Sequence, residues 1–390
     1  MKRLVVRIDY ILKHNVSINK FYRTVGSLLV RAASAFVPIE KRSILFCGHG
    51  RKYNDSPRAI YEYLVTHSGD ESYACYWALD NPDEVSIPGK CIKVKADTFR
   101  YLFTAMRCKY WITCVNIERG MRFKRKGNVY LNTWHGIPVK KIGNDVGLRK
   151  DYNFSHVDLL CVSSDYEIDI YKKALGVRDN SILRTGLPRN DCLYNISYEE
   201  IRRIKTNLGL PLDRRIILYA PTWRDSTDKG ASYVLKPPIN INLWRKELGE
   251  DYVVLFRTHP YTNELLGLEF DEFLRDYSSF ENVNDLLKIS DILISDYSAI
   301  IFDYSILGRP IVCFAYDYLE YQQTRGLYLN IEEEMPGGVE ITEYDVIDRI
   351  KNCNYEAERH SVEHFRSKYV KYGGQATQIC IEALMRRGIG

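Results

Sequence analysis

The sequence predicts an α/β protein of two doubly wound parallel-sheet domains facing each other across a cleft, preceded by a basic amphipathic helical segment. Three observations predict it. Short apolar runs alternate with helix-length amphipathic stretches, once over residues 43–198 and again over 199–390. Strand–helix–strand alternation of this kind means a parallel sheet covered on both faces. The apolar runs end in polar clusters, where open parallel sheets place their ligands. The cations, finally, crowd one end. Nine Lys or Arg stand against Asp9 and Glu40 in the first 43 residues, a net +7, which leaves −2 for the rest of a chain whose total is +5.

Residues 1–42 read as a membrane-association segment. Leu4, Ile8 and Ile11 share a helical face, as do Phe21, Val25 and Leu28, and cations punctuate the other faces. Such a helix suits the interface of an anionic membrane, or packs on the domain beside it. Residues 43–198 read as an N-terminal Rossmann-like domain. Its strands are 43–47, 73–79, 110–114, 128–131 and 157–162, with helices near 57–66, 97–108 and 166–175. Ser163 or Ser164 caps the last helix and Gly176 ends it. A polar linker near 196–212 leads to the C-terminal domain, residues 199–390. There 215–220, 252–256, 292–294 and 311–314 read as strands, and Gly308 and Pro310 stop the helix that starts at Ala299. Residues 226–238 read as a loop, and 340–387 as mostly helical.

Several function classes fall away. The part after the basic segment is slightly acidic, which argues against a nucleic-acid partner. Ten cysteines form no CxxC pair, which argues against a zinc site and for buried thiols in a reducing compartment. No cleavable signal peptide and no membrane span is expected. A P-loop, a G-x-S-x-G elbow and a D-x-D pair are all missing.

The candidate site is built from the post-strand clusters. These are Thr133-Trp134-His135-Gly136, Gly186 to Asp191, Thr222-Trp223-Arg224, Arg257-Thr258-His259 and Ser295-Asp296-Tyr297-Ser298. Two imidazoles, three guanidiniums and several hydroxyls with few carboxylates describe an anion-handling site, and phosphate fits best. His135 is either a general base for an alcohol or a histidine fixed in its turn. Gly136 lets a substrate come close. Arg257 and His259 suit a phosphate clamp, and Arg189 and Arg224 are further substrate-binding candidates. Asp296 accepts from a sugar hydroxyl, orients a histidine or caps the next helix. Ser295, Ser298 and that helix's amino end offer an anion site.

Five blocks carry a resemblance: WHGIPVKKIG (134–143), GLPRND (186–191), YAPTWRD (219–225), FRTHP (256–260) and the stretch 295–330. They resemble the signature blocks of the CDP-glycerol glycerophosphotransferases, the primases and polymerases of wall teichoic acid, with relatives that transfer ribitol phosphate. GRKYNDSPRAIYEYL (50–64) fits as well. The resemblance implies a GT-B-like fold, a CDP-alditol donor in the C-terminal domain and a lipid-linked acceptor in the N-terminal one. It implies an undecaprenyl-diphosphate-linked saccharide as acceptor, at the cytoplasmic face of the membrane, with the enzyme peripheral. It places the family's functional histidines on His135 and His259. No cofactor is expected, and a metal requirement stays open. One departure is Gly373-Gly374, where the family has Asp-Gly. A nucleotide-sugar glycosyltransferase of the same architecture and an inactive membrane-associated scaffold remain as rivals.

Overall fold

The computed structural model describes residues 15–67, 73–147, 151–222, 224, 238–258 and 268–389. Among them, seven strands form one sheet: β1 (Glu40–Cys47), β2 (Ala74–Leu79), β3 (Cys91–Lys95), β4 (Cys108–Thr113), β5 (Val129–Asn132), β6 (Leu159–Val162) and β7 (Ile182–Arg184). Six form a second: β8 (Arg215–Tyr219), β9 (Tyr252–Phe256), β10 (Leu274–Asp276), β11 (Ile292–Ser295), β12 (Ile311–Phe314) and β13 (Val339–Glu340). The orders are β3-β2-β1-β4-β5-β6-β7 and β10-β9-β8-β11-β12-β13, parallel throughout. Both sheets are doubly wound, in a GT-B-like pair. Strand order reverses between β1 and β4 and between β8 and β11, and a crevice opens at each such point.

The strands are apolar on both faces because helices cover both. In β1, Leu45 packs into one core cluster while Ile44 and Phe46 pack into another on the opposite face. In β8, Ile216 and Leu218 face one cluster, Ile217 and Tyr219 the other. This two-residue alternation sets the register of each strand between two buried layers.

The helix Asp165–Leu175 starts where expected. Glu167 accepts the backbone N–H groups of Ser163 and Ser164, and Gly176 closes the helix at φ 66°. The end of the chain departs from a simple two-domain division. The helix Tyr355–Tyr369 packs on the second sheet's core through Val362 and Phe365, but the helix Ala376–Ile389 returns to the first, burying Cys380 and Leu384 against it. The expected unit 199–390 therefore gives its last helix to the other sheet. The helix Val16–Ser34 lies on the first domain, and the preceding residues of the expected segment 1–42 fall outside the described ones.

Candidate active site

His135 follows β5 and reaches under the open end of the first sheet. The Asn132 side chain accepts the Trp134 N–H at 2.8 Å, and Trp134 adopts φ 55°, a region side chains rarely enter. That turn brings His135 Nδ1 within 2.9 Å of the Cys114 carbonyl oxygen, just past β4. A carbonyl only accepts, so Nδ1 carries the proton and Nε2 keeps its lone pair. Trp134 stacks on the imidazole at 4.4 Å and the His49 ring lies 5.2 Å away. Burial pushes His135 down to about 4, only partly offset by the bond to Cys114. It is a neutral, oriented imidazole.

The ring borders a cavity of about 980 Å³ between the domains, which also meets His49, Arg257 and Ser298. The domains touch at its edge. A Cβ on Gly136, whose φ is 144°, would stand 2.8 Å from the Ala299 Cβ. Gly136 thus lets one domain, rather than a substrate, come close. Two signature blocks also join here through backbone bonds. Lys141 N–H donates to the Gly326 carbonyl at 3.1 Å and Tyr328 N–H to the Val139 carbonyl at 2.8 Å.

The four arginine and aspartate candidates divide sharply. Arg257 donates through Nη1 to the carbonyls of Tyr277 and Phe280, at 2.9 and 2.6 Å. Among the described residues no carboxylate pairs with it, and burial lowers its pKa. It presents an uncompensated cation to the cavity. Arg189 does not. Its guanidinium grips Asp55 through Nη1 (3.0 and 2.9 Å) and Asp303 through Nη2 (2.8 Å), tying the helix Asp55–His67 to the helix Ile300–Ser305 across the cleft. Burial pushes Asp55 up, but Arg189 more than reverses this and holds its carboxyl below the usual range. Arg224 is also committed. It donates to both Asp317 oxygens at 2.6 and 2.8 Å and to Asp296 at 2.8 Å, among the rings of Tyr297, Tyr316 and Tyr321. Asp296 takes the N–H groups of Thr222 and Tyr297, both at 2.7 Å. Ser295 is fully buried and donates to the Ala220 carbonyl at 2.7 Å.

Arg189, Arg224, Ser295 and Asp296 therefore tie elements of the site together, and Arg189 also borders the cavity. Ser298 stays at the cavity, although its Oγ accepts the Ile300 N–H at 3.3 Å. The helix after it has only six residues, a poor anion site by itself. His259 and Trp223 lie outside the described residues.

Sequence reasoning missed the acids that satisfy these arginines. Asp55, at φ 59°, and Asp303 flank Arg189, and Asn190 donates to Asp303 at 2.6 Å. Asp191 accepts the N–H groups of Ala376 and Thr377 at 2.9 and 2.7 Å, capping the last helix. The block GLPRND is thus a junction of both domains and the terminal helix. Asp55, Asp191 and Asp303 all sit inside the quoted blocks, which was the available signal.

The family model described as CDP-Glycerol:Poly(glycerophosphate) glycerophosphotransferase matches residues 29–385. The chain belongs to this family. It is 35% identical to the teichoic acid poly(glycerol phosphate) polymerase of Staphylococcus epidermidis, over 81% of this chain and 46% of that protein. It is 34% identical to the teichoic acid glycerol-phosphate transferase of Staphylococcus aureus, over 85% of this chain and 90% of that one. The chain spans about half the length of the first relative and of the Bacillus subtilis polymerase, 49% of which is covered. In three dimensions it is similar to a histidine-to-asparagine variant of the wall teichoic acid polymerase TagF, with a TM-score of 0.82 at 30% identity over 95% of this chain and 97% of that one. Of the glycerophosphotransferase blocks noted in the sequence, all but 219–225 contribute residues to the lining of the interdomain cavity.

Proposed function

We propose that this chain transfers glycerol phosphate, or a similar alditol phosphate, from a CDP-alditol to a hydroxyl of a lipid-linked acceptor in teichoic acid synthesis. The observation that carries the reading is His135: a neutral imidazole, its Nδ1–H spent on Cys114, at a cavity that also holds Arg257, with which no carboxylate pairs among the described residues. The acceptor O–H gives its proton to Nε2 as its oxygen bonds to the β-phosphorus. The bond from that phosphorus to the bridging oxygen breaks and CMP leaves. Arg257 stabilises the charge shared by the diphosphate. His259 joins it in that role on the strength of the family motif. His49, beside His135, helps keep the base neutral. Nothing in this step calls on Arg189 or Arg224.

The test is CMP release by purified protein, with CDP-glycerol, CDP-ribitol and UDP-sugars compared in parallel. Turnover of a CDP-alditol supports the reading; turnover of a UDP-sugar alone sinks it in favour of a glycosyltransferase.

The acceptor's lipid brings the enzyme to the cytoplasmic face of the membrane as a peripheral protein. Among the described residues no helix is long and apolar enough to cross a bilayer. The helix Val16–Ser34 supports surface attachment instead. It meets the domain with polar groups: Arg23 donates to Asp151 at 2.8 Å, and Ser27 accepts the Arg122 N–H at 2.9 Å. Phe21, Leu28 and Leu29 face outward, 69%, 61% and 66% exposed. An outward apolar face beside cations suits an anionic bilayer. Phe21→Asp with Leu28→Asp should release the protein from phosphatidylglycerol vesicles, read by co-sedimentation; unchanged sedimentation would assign attachment to another surface.

A further inference from the structure

A second cavity, of about 550 Å³, adjoins the first. The short turn His49–Arg51 divides them: His49 borders the cavity at His135, while Gly50 and Arg51 line the other. Tyr22 and Arg23 of the helix Val16–Ser34 form one wall, and Asn116, Arg119 and Arg122 face them.

Its chemistry is that of an anion site with unused capacity. Arg23 satisfies Asp151, and Arg119 spends Nε on Asp97 at 2.8 Å. Among the described residues no carboxylate then remains for Arg122 or for the terminal nitrogens of Arg119. Asn116 Oδ1 and His156 Nδ1 are buried there with no hydrogen-bond partner among those residues, while His156 Nε2 pairs with the buried Glu118 carboxylate at 2.5 Å. Buried polar atoms normally find a partner, in a ligand or an ordered water. Backbone strain points the same way. Among the described residues, the non-glycine ones at positive φ are Arg51, Asp97, Arg119, Asp55 and Trp134. The first three line the second cavity, Asp55 lines the first, and Trp134 supports His135. Strain of this kind persists where a site demands it. The wall helix also carries the outward apolar residues Phe21, Leu28 and Leu29, so this cavity lies behind the surface an amphiphile would meet.

We infer that the second cavity holds the diphosphate of an amphiphilic acceptor, with its hydroxyl end passing His49 to reach His135. The inference rests on the transfer reaction proposed above and adds where the acceptor's charge is bound. Arg119 and Arg122 supply the charge-assisted bonds.

Calorimetry on the full chain with farnesyl diphosphate as probe tests it. Inorganic diphosphate, phosphatidylglycerol vesicles and CDP-glycerol are run in parallel. The wild type should bind farnesyl diphosphate. Arg119→Gln with Arg122→Gln should weaken that binding by about tenfold or more, while CDP-glycerol affinity stays within about twofold. Equal probe affinity in wild type and variant, or none in either, would overturn the inference. So would inorganic diphosphate binding as tightly as the probe, since the lipid would then be unread. Loss of vesicle binding alone would assign the arginines to phospholipid headgroups and likewise overturn it. If the double variant does not fold, Asn116→Asp adds a negative charge at nearly constant volume and should also weaken the probe. Failure of CDP-glycerol to bind the wild type sinks the donor reading and leaves the probe measurement interpretable.

Discussion

The two sheets share a strand order, yet their reversal points are used in opposite ways. At β1 and β4 the crevice stays open. Cys114 and His49 surround His135, and two cavities flank the turn His49–Arg51. At β8 and β11, among the described residues, Arg224, Asp296 and Asp317 form a buried ion cluster among three tyrosine rings. The second domain meets the main cavity through neighbouring positions instead, Arg257 after β9 and Ser298 beyond β11. The difference teaches that a polar cluster after a strand marks the functional edge of a sheet, but not which of its members are free. A buried arginine with two carboxylates has its charge compensated, and one bonded only to carbonyls keeps its charge available.

The largest effect should come from the open crevice. His135→Ala is expected to lower the rate of CMP release by about 10²–10⁴-fold, with thermal stability and CDP-glycerol affinity nearly unchanged. Near-normal turnover would remove it as the base. The buried ion cluster should respond in stability. Arg224→Ala leaves the buried Asp296 and the half-buried Asp317 without their cation, and should cost about 3–5 kcal/mol in denaturant unfolding. A loss confined to CDP-glycerol affinity, with stability intact, would break the contrast and return Arg224 to the substrate. Arg257→Ala should do the reverse. Donor affinity should fall about ten- to hundredfold by calorimetry, while the unfolding midpoint moves much less.

The smallest and finest test is pH. Protonating His135 removes the base. Since burial holds its folded pKa near 4 rather than at the ordinary 6.5, the acid limb of kcat/KM should lie well below that of a solvated histidine. The stability sign follows from the same depression. The unfolded chain takes the proton first, so the contribution present above pH 6.5 is lost progressively as pH falls from 6.5 to about 4. An acid limb at 6.5 in kcat/KM would mean that another group sets the protonation.

Much of this was legible in the residues. Runs such as ILFC, VVLF and IVCF are apolar on both faces and spaced for helices between them, so parallel sheets follow directly. The clusters after them lie at the strand ends, and His135 and Arg257 both border the interdomain cavity. The turn of the last helix back to the first sheet was not legible, because helical periodicity names an apolar face and not its partner. The acids that pair with Arg189 and Arg224 were not legible for a related reason. Arg189 is completed by acids 134 and 114 positions away, and Arg224 by acids 93 and 72 positions away.

By itself, then, the sequence determined the strands, the strand-end clusters, the family and the identity of a histidine suited to taking a proton. Local periodicity and short motifs carry that information within a few residues. Tertiary structure alone decided which charges are spent and which remain, and that Gly136 accommodates Ala299 of the facing domain. Those outcomes depend on partners brought from distant parts of the chain. Coulombic pairing in a buried site is settled by distance in space, and sequence spacing holds no record of it.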